Sequence, residues 1–281
     1  MSIWTELLGG TVAFEEIAGV RTRILRFGPD AGRPILLLHG RGGHLETFVR
    51  NIRAWAGDAR PVIAFDLLGH GLTAQAGTRY DIGELHEHAR AVRDLVAPGD
   101  HDLVGQSLGG WLAVLLAESR PPRRLVLIEP AGFQSEGERM ADPRVRAASA
   151  AGGLAFDAAT RENVEARFAQ LLNDPHRLDP EMVDLRTELY AVPGAGAVHR
   201  AVRSGDNARW LIDKERFAAL PVAPLIVRGA RGHIPAETLR QLAEAPGGAL
   251  LTIADAKQWP HYENPDAVNP AVIDYLKEKT A

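Results

Sequence analysis

A G-x-S-x-G motif between two apolar segments constrains the fold of this chain more than any other feature. It lies within residues 103–110 (LVGQSLGG), where one apolar run ends and a second begins. Such a motif is typical of a sharp turn between a β-strand and an α-helix, with small residues around Ser107 because the backbone is crowded there. We therefore predict a buried strand, a tight turn that raises the serine hydroxyl above the sheet, and a helix whose free N–H groups point toward it.

Strand and helix patterns alternate on both sides of this motif. The inner strand runs are continuously apolar, which suits strands buried on both faces of a sheet, and amphipathic helices separate them. A hairpin with short strands over residues 11–17 and 20–27 precedes these units. The alternation predicts a largely parallel α/β sheet. The other predicted strands cover residues 34–39, 61–66, 124–129, 223–228 and 249–254.

The alternation stops between residues 132 and 220, where only helical patterns occur, most clearly over residues 163–172 and 181–190. A long helical insertion within an α/β core is the arrangement of a lid over a pocket. We therefore divide the chain into three segments. They are a first part of the core (1–131), a helical lid (132–220) and a second part of the core (221–281).

Composition excludes several classes of protein. The net charge of the 281-residue chain is −4 and no basic block occurs, which argues against a nucleic-acid partner. The absence of cysteine excludes disulfides, thiolate metal sites and a cysteine nucleophile. No metal-ligand cluster or dinucleotide fingerprint is present, so we expect no cofactor. Residues 1–6 lack the pattern of a secretory signal, and no apolar run approaches ~18 residues, so we expect a cytoplasmic protein without a membrane partner. The expected partner is a small-molecule substrate, and a homodimer is allowed.

Several ordered motifs resemble those of the α/β-hydrolase family over nearly the whole chain. Within that family the chain is most similar to the carbon–carbon bond hydrolases that act on ring meta-cleavage products. The resemblance implies an α/β-hydrolase fold, with a mostly parallel eight-stranded sheet and a helical lid insertion. The motifs are residues 39–44 (HGRGGH), 66–71 (DLLGHG), 105–111 (GQSLGGW), 185–186 (LR) and 259–265 (WPHYENP).

The chemistry of this fold needs a nucleophile, a base, an acid that orients the base, and donors for an oxyanion. Ser107 fits the nucleophile. The backbone N–H groups of Leu108 and Arg41 would form the oxyanion hole. Because these donors are backbone groups, they tolerate almost any change of side chain.

The resemblance also implies a substrate-binding set. A lid arginine at the position of Arg186 binds the substrate carboxylate in the carbon–carbon hydrolases, a task that suits a planar guanidinium. The alternative is a helix-surface ion pair with Asp184 or Glu188. Those hydrolases usually have asparagine immediately before the serine, where this chain has Gln106. The predicted substrate-binding residues are Gly42, Gly43, Gln106, Arg186, Gln258 and Trp259.

Two residues of the usual catalytic triad are replaced. Family members have a catalytic histidine at the position of Gln258 and an aspartate near the position of Gly232. Glutamine cannot take a proton from a serine near neutral pH, and the loss of one triad member lowers the rate by about 10⁴-fold. The sequence therefore predicts the fold of a hydrolase without its usual base.

Glu129 and His261 are the candidates to replace the missing acid and base. Glu129 ends the strand after the motif helix, where some relatives carry their acid, and His261 lies three residues past the histidine position. The alternatives are a salt bridge for Glu129 and a packed position behind the pocket for His261. His233 could also look into the cleft, although a loop histidine is more often exposed. His39 and His70 are expected to be structural.

Three functions of different classes remain open. The first is a serine hydrolase that cleaves an ester or carbon–carbon bond of a small, largely apolar carbonyl substrate through Ser107, Glu129 and His261. The second is a non-hydrolytic enzyme that performs isomerisation, cyclisation, decarboxylation or retro-aldol cleavage, with Glu129 or His261 as acid or base. The third is a binding protein without catalysis. The intact serine motif places the hydrolase first.

Overall fold

The computed structural model describes residues 2–57 and 59–277, and within these residues eight strands form one sheet. The strands are β1 (Thr11–Ile17), β2 (Val20–Phe27), β3 (Ile35–Leu38), β4 (Val62–Phe65), β5 (Asp102–Gln106), β6 (Arg124–Ile128), β7 (Pro224–Gly229) and β8 (Ala249–Ile253). Their order across the sheet is β1-β2-β4-β3-β5-β6-β7-β8. Only β2 runs against its two neighbours, β1 and β4, and the remaining pairs are parallel.

Helices connect these strands. They are α1 (Ile3–Glu6), α2 (Ile52–Ala56), α3 (Ile82–Val96), α4 (Leu108–Ser119), α5 (Glu136–Ala141), α6 (Pro143–Asp157), α7 (Arg161–Leu171), α8 (Pro180–Ala191), α9 (Ala195–Ser204), α10 (Lys214–Ala218), α11 (Ala236–Glu244), α12 (Pro260–Glu263) and α13 (Pro265–Lys277). Short 3₁₀ turns cover Leu45–Phe48, Pro175–Arg177 and Ala208–Trp210. In the described ranges, no helix combines the length and the apolar character needed to cross a membrane.

Side chains of β3 alternate between the two hydrophobic cores that cover the faces of the sheet. Leu36 and Leu38 pack with α3 and α4 on one face, and Ile35 and Leu37 pack with α2 and α13 on the other. All four are fully buried, and each such side chain stabilises the fold by about 1.5–3 kcal/mol. The predicted continuous apolar strands are therefore central strands, and they fix the sheet edge at which the functional residues emerge.

The segment 132–220, which we call the helical insertion, contains α5 to α10 and no strand among its described residues. Two of its helices match the predicted ones. The side chain of Thr160 caps the start of α7, and the carboxylate of Asp179 caps the start of α8. Phe168 of the insertion packs with Trp259 in a third core, which attaches the insertion to the last part of the chain.

Candidate active site

Ser107 lies in a strained turn between β5 and α4, at the edge where the parallel strands end. Its φ angle is +52°, a left-handed conformation that is uncommon for a residue other than glycine. The turn is held by hydrogen bonds from Ser107 N–H to Ile128 C=O (2.9 Å) and from Ala131 N–H to Ser107 C=O (3.0 Å). Such strain persists only where the surrounding backbone imposes it, and it is often found at functional residues.

The two glycines of the motif are required by close backbone contacts. A Cβ atom at Gly105 would lie 2.3 Å from the carbonyl oxygen of Gly109, and one at Gly109 would lie 2.0 Å from that of Leu38. Neither contact is sterically allowed, so β3, β5 and α4 can pack in this way only if both positions lack a side chain. The packing brings the first turn of α4 against the end of β3.

His39 holds the glycine-rich loop after β3, and it does so as a neutral side chain. Its Nε2 accepts a hydrogen bond from Leu67 N–H (2.9 Å), so its Nδ1 carries the proton and donates to Gly40 C=O (2.8 Å). Burial lowers the pKa of His39 well below its usual range. The residue is structural, as expected, and the loop that it fixes lines the same cavity as Ser107.

Glu129 directly follows β6 and is buried, with one carboxyl oxygen free. Its Oε1 accepts a hydrogen bond from Gly229 N–H (2.7 Å), and its Oε2 has no hydrogen-bond partner among the described residues. A Cβ atom at Gly232 would lie 2.3 Å from Oε1, so the carboxyl group fills the space in front of that glycine. Burial raises the pKa of Glu129 to about 8, so the group is mostly protonated at neutral pH.

His261 is not brought to Ser107, which corrects the predicted relay. It is the second residue of α12, and its ring packs against those of Phe48 and Trp259, with centroid distances of 5.3 and 6.0 Å. The side chain is fully buried, burial lowers its pKa to about 3, and it does not line the cavity that contains Ser107. The reason is local, because the start of α12 turns the ring behind the cavity.

Gln258 lines the cavity at the position of the missing histidine. Its backbone N–H donates to Leu171 C=O (2.9 Å), and its own carbonyl accepts a long hydrogen bond from Gln106 Nε2 (3.4 Å). The Gln258 Oε1 atom has no partner in the part of the chain that the structure describes. Both side chains are amides, so they can bind a ligand but cannot act as a base.

His233 is a histidine that does share the cavity with Ser107. Both residues line the main cavity and also a smaller one that includes Glu129. His233 is half-buried, and burial lowers its pKa to about 4, so the imidazole is neutral at pH 7. The exposed position considered from the sequence is therefore corrected. The smaller cavity brings together a hydroxyl, a protonated carboxyl and a neutral imidazole.

The main cavity has a volume of about 330 Å³ and lies between the sheet edge and the helical insertion. This size suits a small molecule. Gly42 does not line it, which corrects one predicted residue. The left-handed φ of Gly42 turns it toward a separate small cavity, where its carbonyl accepts a hydrogen bond from the Tyr190 hydroxyl (2.9 Å). The predicted residues that do line the main cavity are Arg41, Gly43, Gln106, Ser107, Leu108, Arg186, Gln258 and Trp259.

Arg186 reaches this cavity from α8 and is only 1% exposed. Its guanidinium lies 4.6 Å from the ring centre of Phe168 and 4.7 Å from that of Trp259, and its Nε lies 3.4 Å from His44 Nε2. Since arginine only donates, His44 Nε2 accepts and its Nδ1–H donates to Glu46 (2.8 Å). No carboxylate of the described chain forms a salt bridge with Arg186, so the surface ion pair is not formed.

The lining of the cavity is strongly cationic, a feature that sequence reasoning missed. Two carboxylates, Glu136 and Asp206, face a much larger number of cations. The cations come from segments that are distant in the sequence and are spaced without a motif, so only the fold reveals their meeting. They are Arg41, Arg139, Arg144, Arg167, Arg186, Arg203, Arg231 and Lys257.

Comparison with known proteins agrees with this architecture. The sequence matches the alpha/beta hydrolase family over residues 35–271. The chain belongs to this family. A dihydrolipoyllysine-residue acetyltransferase component of an acetoin cleaving system from Pseudomonas putida is 29% identical, over 94% of this chain and 68% of that protein. The 2-hydroxymuconate semialdehyde hydrolase of Pseudomonas sp. (strain CF600) is 28% identical, over 94% of this chain and 93% of that enzyme.

A solved structure of a meta-cleavage product hydrolase (CumD) superposes with a TM-score of 0.80 at 22% identity, over 95% of this chain and 98% of that one. At this identity the likeness shows the fold, and it confirms the predicted α/β-hydrolase architecture. The names of the relatives confirm the resemblance to meta-cleavage product hydrolases. What this alpha/beta hydrolase does with its altered residues must be argued from its own cavity.

Proposed function

We propose that this protein is an enzyme that isomerises a small carboxylate-bearing carbonyl compound by proton transfer, without an acyl-enzyme at Ser107. One observation carries the proposal. The smaller cavity contains a protonated Glu129 and a neutral His233 beside Ser107, while an amide, Gln258, holds the position of the usual base. An acid and a base on one cavity are the groups that a keto–enol isomerisation needs.

The remaining parts of the cavity support binding of such a compound. The backbone N–H groups of Leu108 and Arg41 would form an oxyanion hole, and the N-terminus of α4 adds a favourable dipole. Arg186 would bind the carboxylate, because its buried guanidinium has no acidic partner in the described chain. The helical insertion would act as a lid, since several of its helices line the cavity. The relative that acts on 2-hydroxymuconate semialdehyde suggests a 2-hydroxydienoate or a related oxo acid.

The proposed reaction needs no bond to the serine. The enol oxygen lies in the oxyanion hole and gives its proton to a ring nitrogen of His233. Glu129 donates its proton to a carbon of the substrate, and the enol becomes a ketone. The proton on the imidazolium then passes to the Glu129 carboxylate, which restores both groups.

Ser107→Ala and Glu129→Gln separate this reaction from serine hydrolysis. We expect no labelling of the wild type by a fluorophosphonate. Ser107→Ala should retain isomerisation within about tenfold, and Glu129→Gln should lower it by about 10²–10⁴-fold. The measurement is the change in ultraviolet absorbance of a panel of 2-hydroxydienoates, with the exposed Glu244→Gln as a matched control.

The reverse pattern, in which Ser107→Ala abolishes turnover and Glu129→Gln retains it, would contradict the proposal. Ligand-dependent stabilisation without turnover in any variant would instead identify a binding protein.

Serine hydrolysis with His233 as the base is the second candidate. It is favoured by the two cavities that Ser107 and His233 share, and by the lowered pKa of His233, which leaves the imidazole able to accept a proton. This candidate requires fluorophosphonate labelling of Ser107 that is lost in His233→Gln. The two candidates therefore differ in the labelling experiment before any substrate is known.

A further inference from the structure

Four arginines from four separate elements converge in the main cavity, and we call them the arginine cluster. Arg41 comes from the loop after β3, Arg139 from α5, Arg167 from α7 and Arg203 from α9. The four groups are close enough to repel each other. Burial, followed by the charges of Arg139, Arg167 and Arg203, lowers the pKa of Arg41 to about 9.

The protein itself neutralises little of this charge. Glu136 pairs with two members of the cluster, Arg139 (3.0 Å) and Arg203 (3.4 Å). Arg167 donates to the backbone carbonyl of Ala148 (2.6 Å) and to no carboxylate of the described chain. Arg41 makes no hydrogen bond or salt bridge within residues 2–57 and 59–277. Four guanidinium groups thus face one carboxylate.

Desolvated like charges are unfavourable, and the penalty is relieved when an anion enters with hydrogen bonds to the guanidinium groups. Each guanidinium presents a planar fork of donors that matches a carboxylate or a phosphate. We infer that the arginine cluster is a second anion subsite, so that the substrate carries one carboxylate at Arg186 and a second carboxylate or phosphate at the cluster, an inference that rests on the proposed function. A cavity of about 330 Å³ restricts this dianion to a small molecule.

Isothermal titration calorimetry with simple acids tests the second subsite without turnover. The ligands are the dicarboxylates from succinate to suberate, the monomethyl ester of each, and phosphonocarboxylates of matching length. The ester keeps the length and shape of the diacid but has only one charge. We expect the diacid of best-fitting length to bind at least about tenfold more tightly than its half-ester.

Arg41→Gln should remove this preference, because it deletes a guanidinium and leaves the backbone N–H in place. Arg167→Gln is a second variant in case the first fails to fold. Arg161→Gln is the matched control, since Arg161 lies on the same helix α7 as Arg167 but pairs with Glu165 (3.0 Å) outside the cavity. Arg186→Gln should weaken the diacid and the half-ester by a similar factor.

Equal affinity of diacid and half-ester in the wild type would overturn the inference, as would an unchanged preference in both cluster variants. A preference for phosphonocarboxylates over diacids would identify phosphate as the second group, and the opposite order would identify a carboxylate. Since binding is measured without turnover, failure of the acid–base chemistry leaves this result intact. Equally, loss of the diacid preference leaves the Ser107 and Glu129 experiments valid.

Discussion

The serine end and the triad end of this sheet edge are held in different ways. At Ser107 the backbone does the work, because Gly105 and Gly109 allow contacts that no side chain could share. At the other end the functional groups are side chains, and two that the family uses have been replaced, by Gln258 and Gly232. A geometry built from the backbone survives only with its glycines, whereas a geometry built from side chains can change while the fold stays intact.

The difference also concerns charge. The loop after β3 and the first turn of α4 offer neutral N–H donors whose strength does not depend on pH. Glu129 and His233, by contrast, have pKa values displaced in opposite directions by the same cause, burial, to about 8 and about 4. Each therefore keeps its uncharged form at neutral pH. The triad end is an uncharged acid beside an uncharged base, which is unlike a serine–histidine–aspartate relay.

Gln258→His breaks the comparison most directly, and we expect its effect to be the largest. A histidine there would share the cavity with Ser107, and Glu129 already fills the space in front of Gly232 from which an acid could orient it. Fluorophosphonate labelling of Ser107 should rise by about 10²-fold or more, the usual contribution of a general base. Gln258→Asn is the control. If labelling stays at the wild-type level, the elbow lacks the reactive geometry that its backbone suggests.

Gly109→Ala tests the backbone end. The new Cβ would lie 2.0 Å from the Leu38 oxygen, so β3 and α4 would have to separate. We expect a loss of roughly 3 kcal/mol in the free energy of unfolding, at the upper end of overpacking effects. Gly153→Ala in α6 is the control, because its Cβ meets no atom within 4 Å and should stabilise the helix by up to about 1 kcal/mol. Urea unfolding measures both, and equal stability of the two variants would contradict the packing argument.

The fold was predictable because its signals are local. The predicted strand over residues 34–39 became β3 (Ile35–Leu38), and the predicted turn at Ser107 has the expected left-handed backbone. The position of His261 was not predictable, because a short helix, α12, decides on which side of the cavity its ring lies. The arginine cluster was also invisible, since its members are spread over more than 160 positions between Arg41 and Arg203 and meet only after folding.

Glu129→Gln sharpens the comparison through the pH dependence of stability, with the smallest expected effect. Burial raises the pKa of Glu129 from 4.5 to about 8, so between these values the unfolded chain has released a proton that the folded chain still holds. The free energy of unfolding of the wild type should therefore fall, relative to Glu129→Gln, as pH rises from about 4.5 to about 8. The relative change should be on the order of 2 kcal/mol, since one pKa unit corresponds to about 1.4 kcal/mol and the full displacement is an upper bound. Urea unfolding at pH 5, 6.5 and 8 measures it, with Glu244→Gln as the exposed control. Parallel profiles for the wild type and Glu129→Gln would mean that Glu129 is ionised in the fold, and the proposed acid would be lost.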